Sequence, residues 1–356
     1  MLSILSPMRT IVDRWIACEL RKTKIGGLYD GQKEDWIQSF QGLARRNHSL
    51  KDLRVLINSF SSNNITLVKD RERKPGNSLE ITVVCPVKND LTYLKRFLPY
   101  YRNLGATGFI FIDNESSDGS REFLLKQPDV TLFSCPNPYN HFAKDGWVCR
   151  AIAYNGLNQW YLVLDSDEFL SYPGMEKSQL DQLVRTMEDN GIKAVRGFML
   201  DMYPDYPLFS KDKDPGRFME DYCYFDPFSK WYNKNGDKLI GGMRARVLGV
   251  YTALQKTSIL KCSKGVFPYE STHNMNKDDG VAEGMFYVLR HYKFLPGDYD
   301  KMKATAVKNT GYYSAERQRS YLSLAGVNVK DDNSLRYADS TSLTAFPFIK
   351  ELIKKE

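Results

Sequence analysis

Short apolar runs alternate with helix-length amphipathic stretches from residue 81 to residue 200, and no other feature of the chain narrows its fold as much. Residues 81–85, 109–112, 130–133, 160–164 and 194–200 are the apolar runs, each bounded by polar or turn-forming residues as a buried strand is. Between the first two, Leu91, Leu94, Phe97, Leu98 and Tyr101 recur at helical spacing, with Asn89 or Asp90 as cap and Gly105 as stop. Pro99 lies inside that stripe and predicts a kink or an early end. Further helices are expected from residues 117–120 through Leu125, over 145–158, and over 178–190, where Leu180, Leu183, Val184 and Met187 point inward. Strands joined by helices of this length form right-handed βαβ units. The expected fold is therefore α/β, a mostly parallel, Rossmann-like sheet flanked by helices.

The flanks read differently. Leu50, Leu53, Leu56, Ile57 and Phe60 recur at helical spacing, and the charged stretch from Lys69 ends in Pro75-Gly76-Asn77, so residues 1–76 read as a helical extension closed by a linker. After Asp201 the alternation loosens. Residues 201–240, rich in Pro, Asp and aromatics, read as loops around a site. Residues 239–250 and 257–262 read as strands, 283–294 as helix or strand, and 298–324 as helix. The expected units are an extension over 1–76, a main domain over 77–297 and a helical C-terminal extension over 298–356. The tail Phe346-Pro347-Phe348-Ile349-Lys350 opens a basic amphipathic stretch, which packs on its own domain or, in the sharper reading, lies on a membrane surface.

A net charge of +7 suits a nucleotide diphosphate, an anionic glycan or an anionic membrane surface. No zinc-finger spacing, RNP-type motif or long basic run points to nucleic acid as a partner. The six cysteines form no CxxC pair and several lie in apolar surroundings, which favours a reducing compartment. Arg9, Asp13 and Arg14 break the apolar start of the chain, so neither a signal peptide nor a membrane span is expected there, and the expected location is cytoplasmic, with the inner face of the membrane as a variant.

Chemistry concentrates at the strand ends. The first strand delivers Pro86-Val87-Lys88-Asn89, the second Asp113-Asn114-Glu115-Ser116-Ser117-Asp118-Gly119-Ser120, and the fourth Asp165-Ser166-Asp167. In an open α/β sheet, ligands bind outside the carboxyl ends of the strands, so three polar clusters along one edge predict a shared crevice. Asp165 and Asp167 point the same way on an extended chain and suit a hard divalent cation with positions open to phosphate oxygens. The alternative for so short a motif is a solvated acidic loop. Asp113 alone reads as a turn cap. Neither G-x-G-x-x-G nor a Walker A sequence is present, which argues against dinucleotide and P-loop enzymes.

In their order and spacing, these three motifs resemble the GT-A glycosyltransferases, and more narrowly the bacterial family 2-like branch related to family 92. The resemblance covers roughly residues 80–300 and extends to Leu200-Asp201-Met202-Tyr203, Tyr224-Phe225-Asp226, Gly241-Gly242-Met243-Arg244-Ala245-Arg246, Ser271-Thr272-His273 and Arg290-His291-Tyr292-Lys293. It implies that Pro86, Val87, Lys88 and Asn89 line the nucleoside pocket and that Asp113, with Asn114, holds the base or ribose. Asp167 would ligate the metal, Asp165 would reach the ribose or the metal, Ser166 would lie against the donor, and His291 would be a third protein ligand. A histidine ligand tilts the metal toward Mn²⁺ over Mg²⁺. Trp147 and Arg150 would sit at the nucleotide-sugar entrance. The alternative for His291 is a hydrogen-bonded core histidine beside Tyr292.

The resemblance implies a metal-dependent, inverting enzyme that moves a sugar from a nucleotide sugar, a UDP-sugar first, to a surface polysaccharide or lipopolysaccharide. The acceptor would be a glycan or glycolipid, and the helical ends would support the domain, dimerise or touch a membrane. Inversion needs a carboxylate base. Glu270 is the first candidate, Asp226 the second and Asp201 the third, each with a surface or capping role as its alternative. His273 would bind acceptor or phosphate. Arg244 and Arg246, read as alternating on a strand, would share a face and clamp phosphate or an acidic sugar. Two other functions stay open: a sugar-phosphate nucleotidyltransferase, and a non-catalytic subunit that binds nucleotide or glycan.

Overall fold

The structure is a computed structural model that describes residues 5–23, 30–45, 49–72, 79–227, 231–234, 238–270, 273–275, 280–308 and 314–352. Most of the linker expected up to Asn77, and Ser271-Thr272, lie outside the described residues.

A nine-stranded sheet forms the centre. Its strands in chain order are β1 (Thr66–Lys69), β2 (Ile81–Val87), β3 (Gly108–Asp113), β4 (Val130–Ser134), β5 (Gln159–Val163), β6 (Glu168–Ser171), β7 (Ala194–Asp201), β8 (Gln255–Cys262) and β9 (Val281–His291). Across the sheet they stand in the order β1-β4-β3-β2-β5-β8-β7-β9-β6. β2, β3, β4, β5, β7 and β9 run one way; β1, β8 and β6 run against them. The sheet is thus mostly parallel and flanked by helices, as the alternation predicts. The segment left open between helix and strand is β9.

Side-chain alternation along the strands builds a core on each face. Val83, Cys85, Phe109 and Phe111 face one side, packed by α4 (Leu91–Asn103) and α7 (Leu180–Asp189). Val84, Ile110, Ile112 and Val163 face the other, packed by α6 (His141–Asn155) and by the first three helices, α1 (Leu5–Lys22), α2 (Asp30–Ala44) and α3 (Leu50–Phe60). The N-terminal helices therefore share a core with the sheet. α3 lies so close to α6 that a Cβ on Gly146 would stand 2.4 Å from the Leu56 carbonyl oxygen and 2.8 Å from the Phe60 nitrogen.

Two expectations need correction. Pro99 does not end α4, which continues to Asn103. Pro99 is exposed, while Tyr93, Leu94, Phe97, Leu98 and Tyr101 bury the opposite stripe, and that burial outweighs one missing hydrogen bond on the solvent side. Arg244 and Arg246 do not alternate on a strand. Gly241 and Gly242 take φ of 141° and 71°, which only glycine adopts readily, and they turn a short strand into the helix α8 (Gly242–Leu248).

At the C-terminal end, α9 (Pro296–Lys308) and α10 (Ser314–Leu322) follow β9. The tail then returns to the sheet: Phe346 is buried, and the rings of Phe346 and Phe348 lie 5.2 Å and 5.6 Å from that of Phe198. Among the described residues, no helix is long and apolar enough to cross a membrane.

Candidate functional site

Strand register assembles the site. His291 ends β9 and stands opposite Asp201, the last residue of β7, on one side and Glu168, the first of β6, on the other. The acidic loop Asp165-Ser166-Asp167 joins β5 to β6, and the Asp167 carbonyl accepts the N–H of Tyr292 at 2.9 Å. The carboxyl ends of β5, β7 and β9 thus meet.

Their side chains form two charge chains. In the first, His291 bonds through Nδ1 to Asp201 Oδ1 at 2.7 Å and turns Nε2 toward Asp167 Oδ2 at 3.4 Å. Asp201 also accepts from Arg244 Nε at 2.6 Å, and Arg244 reaches the Tyr321 hydroxyl on α10 at 3.1 Å. Although burial opposes its charged form, the carboxylates of Asp167 and Asp201 raise the His291 pKa to about 9. Burial likewise works against the Asp201 carboxylate, yet Arg244 and His291 bring its pKa down to about 2. Asp167 is held below the usual range, against burial, by His291 and Lys293.

The second chain takes up Asp165. Lys144 of α6 bonds its Oδ1, and Lys256 of β8 lies 3.6 Å from Oδ2 and 2.9 Å from Glu168. Both lysines are almost fully buried, and they drive the Asp165 pKa far down despite its burial. The Lys144 pKa is in turn raised by Asp165 and Tyr139.

The upstream loops are tied to each other and to this site. Asn89 takes φ of 57°, donates its N–H to Ser116 Oγ at 2.9 Å and accepts the Ser117 N–H at 2.7 Å. Lys88 Nζ lies 3.4 Å from Asn114 Oδ1, while the Asn114 amide donates to the Cys135 and Asn137 carbonyls at 2.7 Å and 2.8 Å. Asp113 is buried, accepts the Ser116 N–H at 3.1 Å and pairs with Arg121 at 3.4 Å. Pro86 and Val87 end β2 beside it. Asp118, not the side chain of Asn89 or Asp90, accepts the Leu91 N–H that opens α4, at 3.0 Å. Asp90 instead bonds Lys301 of α9 at 2.6 Å, and Ser166 also stabilises its carboxylate, so the β2 loop, the acidic loop and α9 meet there.

Several expected residues stand elsewhere. Arg150 is buried and donates to the carbonyls of Phe60, Ser62 and Ile65 at 3.0 Å, 2.8 Å and 3.1 Å, pinning the end of α3. Trp147 is buried in the same helical core, so neither residue lies at a cleft entrance. Asp226 is buried between Arg246, bound at 2.8 Å and 2.9 Å, and the Tyr203 hydroxyl at 2.6 Å; a carboxylate held this way is a structural ion pair. Arg246 is correspondingly occupied, and Arg244 serves Asp201, so the two do not clamp a common ligand. Glu270 is exposed, with φ of 53°, at the turn that follows Pro268–Tyr269. A small cavity beside Asp165 is lined by Lys144, Asp145 and Pro268, the last of which stands two residues before Glu270 in the chain. His273 donates its Nδ1–H to the Gln255 carbonyl, 2.8 Å away, and burial with the charge of Lys256 lowers its pKa to about 3.

Lys144 and Lys256 went unnoticed in the sequence. Their signal was the company they keep: Lys144 lies on a helix that buries Ala143, Trp147, Val148, Cys149 and Ile152, and Lys256 is the second residue of a largely buried strand. A cation in such a place is paired.

The residues can be weighed against a divalent ion. Asp167 and His291 Nε2 converge, and the other ring nitrogen of His291 goes to a carboxylate, as that of a metal-ligating histidine does. Asp165 is turned to its lysines, and among the described residues no three His, Cys, Asp or Glu side chains gather closely enough to hold a metal. The donor set that fits is therefore one carboxylate and one imidazole, with the remaining positions open to water and ligand oxygens.

No family model matches the chain, and no curated protein does. Among solved structures, the crystal structure of TarS from S. aureus, residues 1–349, is similar over 69% of this chain and 70% of that one, at 11% identity and a TM-score of 0.34.

Proposed function

We propose that the chain is a metal-dependent glycosyltransferase that takes a sugar from a nucleotide donor, a UDP-sugar first, to a glycan or glycolipid acceptor. The observation that carries this reading is the convergence of Asp167, His291 and Asp201 at the ends of three sheet strands. Asp167 and His291 would hold a divalent cation, whose charge would stabilise a nucleoside diphosphate leaving group, and imidazole among its ligands favours Mn²⁺ over Mg²⁺.

The chain's own residues do the rest. Asp201 orients His291 and keeps Nε2 turned to the ligand. Asp165, fixed by Lys144 and Lys256, holds the loop in shape and, at its exposed edge, reaches the ribose. Lys88, Asn89, Asp113 and Asn114 form the nucleoside side of the crevice. Glu270 is the base: it takes the acceptor hydroxyl proton as the oxygen–carbon bond forms at the anomeric carbon and the diphosphate leaves with the electron pair of the broken bond. In this reading the donor lies at the inner face of a membrane or in the cytoplasm.

A panel of nucleotide sugars, each with Mn²⁺ or Mg²⁺, tests it. Metal-dependent release of nucleoside diphosphate supports transfer. Release of pyrophosphate assigns the site to nucleotidyl transfer instead.

A further inference from the structure

We propose that Tyr321 of α10 is a positioning residue for the Asp167–His291 pair, acting through Arg244 and Asp201; this rests on the metal-dependent reading above. Tyr321, Arg244, Asp201 and His291 form one buried line. The Tyr321 hydroxyl accepts from Arg244 Nη1 at 3.1 Å, Arg244 Nε donates to Asp201 Oδ2 at 2.6 Å, and Asp201 Oδ1 holds His291 Nδ1 at 2.7 Å.

The division of the Asp201 carboxylate gives Tyr321 its part. An arginine beside a carboxylate often takes both oxygens through two parallel N–H···O bonds. Arg246 does so on Asp226, with Nε on Oδ2 at 2.9 Å and Nη2 on Oδ1 at 2.8 Å. At Asp201 one oxygen belongs to His291. Arg244 therefore holds the other through Nε alone, and its Nη2 is buried with no partner among the described residues. One bond does not fix the plane of a guanidinium. The Tyr321 hydroxyl on Nη1 is the second anchor, and the Tyr321 ring is itself set edge-on to Phe294 at 5.7 Å. Without that hydroxyl, Arg244 is free to turn its idle Nη2 to Asp201 Oδ1 and to compete there with His291. His291 Nε2 then loses its fixed aim at Asp167, 3.4 Å away. The helix that bears Tyr321 thus belongs to the metal centre, and the C-terminal extension does more than support the domain.

Titration of the full chain with Mn²⁺, followed by the electron paramagnetic resonance of the free ion, tests the assignment. Tyr321→Phe, which removes only the hydroxyl, is expected to weaken Mn²⁺ about threefold to tenfold, less than loss of the direct histidine partner Asp201 does. Tyr203→Phe controls for a purely structural effect, because it takes a hydroxyl from the other buried arginine–aspartate pair, whose carboxylate meets no histidine. It is expected to leave Mn²⁺ affinity unchanged. In chelator, the ring-nitrogen NMR signals of His291, one of four histidines, are expected to move in Tyr321→Phe and to stay in place in Tyr203→Phe. Unchanged Mn²⁺ affinity or unchanged His291 signals in Tyr321→Phe, or equal losses in the two variants, would overturn the assignment and leave the glycosyltransferase reading in place. Wild-type protein that bound no Mn²⁺ would overturn the metal-dependent reading together with the assignment.

Discussion

His291 gives one ring nitrogen to Asp201 at 2.7 Å and turns the other toward Asp167 at 3.4 Å. The first contact decides how the second can be used. With Nδ1 engaged by a carboxylate, Nε2 is held in one orientation, and it can carry a proton or meet a metal, but not both. Asp201 is therefore a positioning residue, and its own carboxylate is kept ionised by Arg244.

The first prediction concerns that positioning. Asp201→Asn is expected to weaken Mn²⁺ binding by about 10–100-fold, the usual loss on removing an outer partner of a ligating histidine. Asp167→Asn is expected to abolish it. Thermal stabilisation by added Mn²⁺ measures both, and equal stabilisation of wild type and Asp167→Asn would remove the metal role.

The metal-free protein should lose stability in alkali. The His291 pKa is raised from 6.5 to about 9, so its ion pairs contribute fully below pH 6.5 and fade as pH rises through 9, on the order of 3 kcal/mol at most. Urea unfolding at pH 6 and pH 9.5 in chelator should show the loss, and His291→Asn should flatten it.

The two carboxylates of the acidic loop should separate by phenotype. Asp165→Asn leaves buried Lys144 without its carboxylate, while Lys256 keeps Glu168 at 2.9 Å; because the Asp165 side chain is 35% exposed, the expected cost is about 1–3 kcal/mol of folding stability, below that of breaking a fully buried pair. Asp167→Asn should cost less stability and more metal affinity. Reversal of this order by chemical denaturation and metal titration would contradict the assigned roles.

Asp226 should behave as a structural residue. Asp226→Asn strips Arg246 and Tyr203 of their common partner and is expected to cost about 3–5 kcal/mol, while the folded fraction keeps its turnover. Glu270→Gln should do the opposite, with unfolding midpoint unchanged and transfer down by about 10²–10⁴-fold.

Gly146 tests the junction between α3 and α6. A methyl group there meets the Leu56 carbonyl oxygen at 2.4 Å, so Gly146→Ala is expected to cost about 1–3 kcal/mol by forcing the helices apart. Its melting temperature reads the change directly.

The sheet was legible because parallel strands buried on both faces are continuous apolar runs: the β2, β3, β4, β5 and β7 segments announce themselves, and the acidic loop follows from where β5 stops. The β9 segment was ambiguous, since Phe286, Tyr287, Val288 and Leu289 suit a helix as well as a strand. The Gly241-Gly242 turn was misread because the positive φ of these two glycines, which ends the strand and lets a helix follow, leaves no mark in the hydrophobic pattern. At the site, Asp167, His291 and Asp201 could be named, but not their pairing, which depends on the register of β7 with β9. The lysines that neutralise Asp165 come from α6 and β8, 21 residues upstream in the case of Lys144, and no local pattern links them to it. Arg150 and Trp147 were drawn to the cleft by the resemblance, whereas the N-terminal helices bury them.

The most direct measurement is nucleoside diphosphate release from a panel of nucleotide sugars, with and without Mn²⁺, by wild type and Asp167→Asn. The account predicts release from one donor, UDP-linked first, that requires the metal and is lost in the variant. Absence of any nucleotide binding with Mn²⁺ or Mg²⁺ present, or release that persists at full rate in Asp167→Asn, would contradict it.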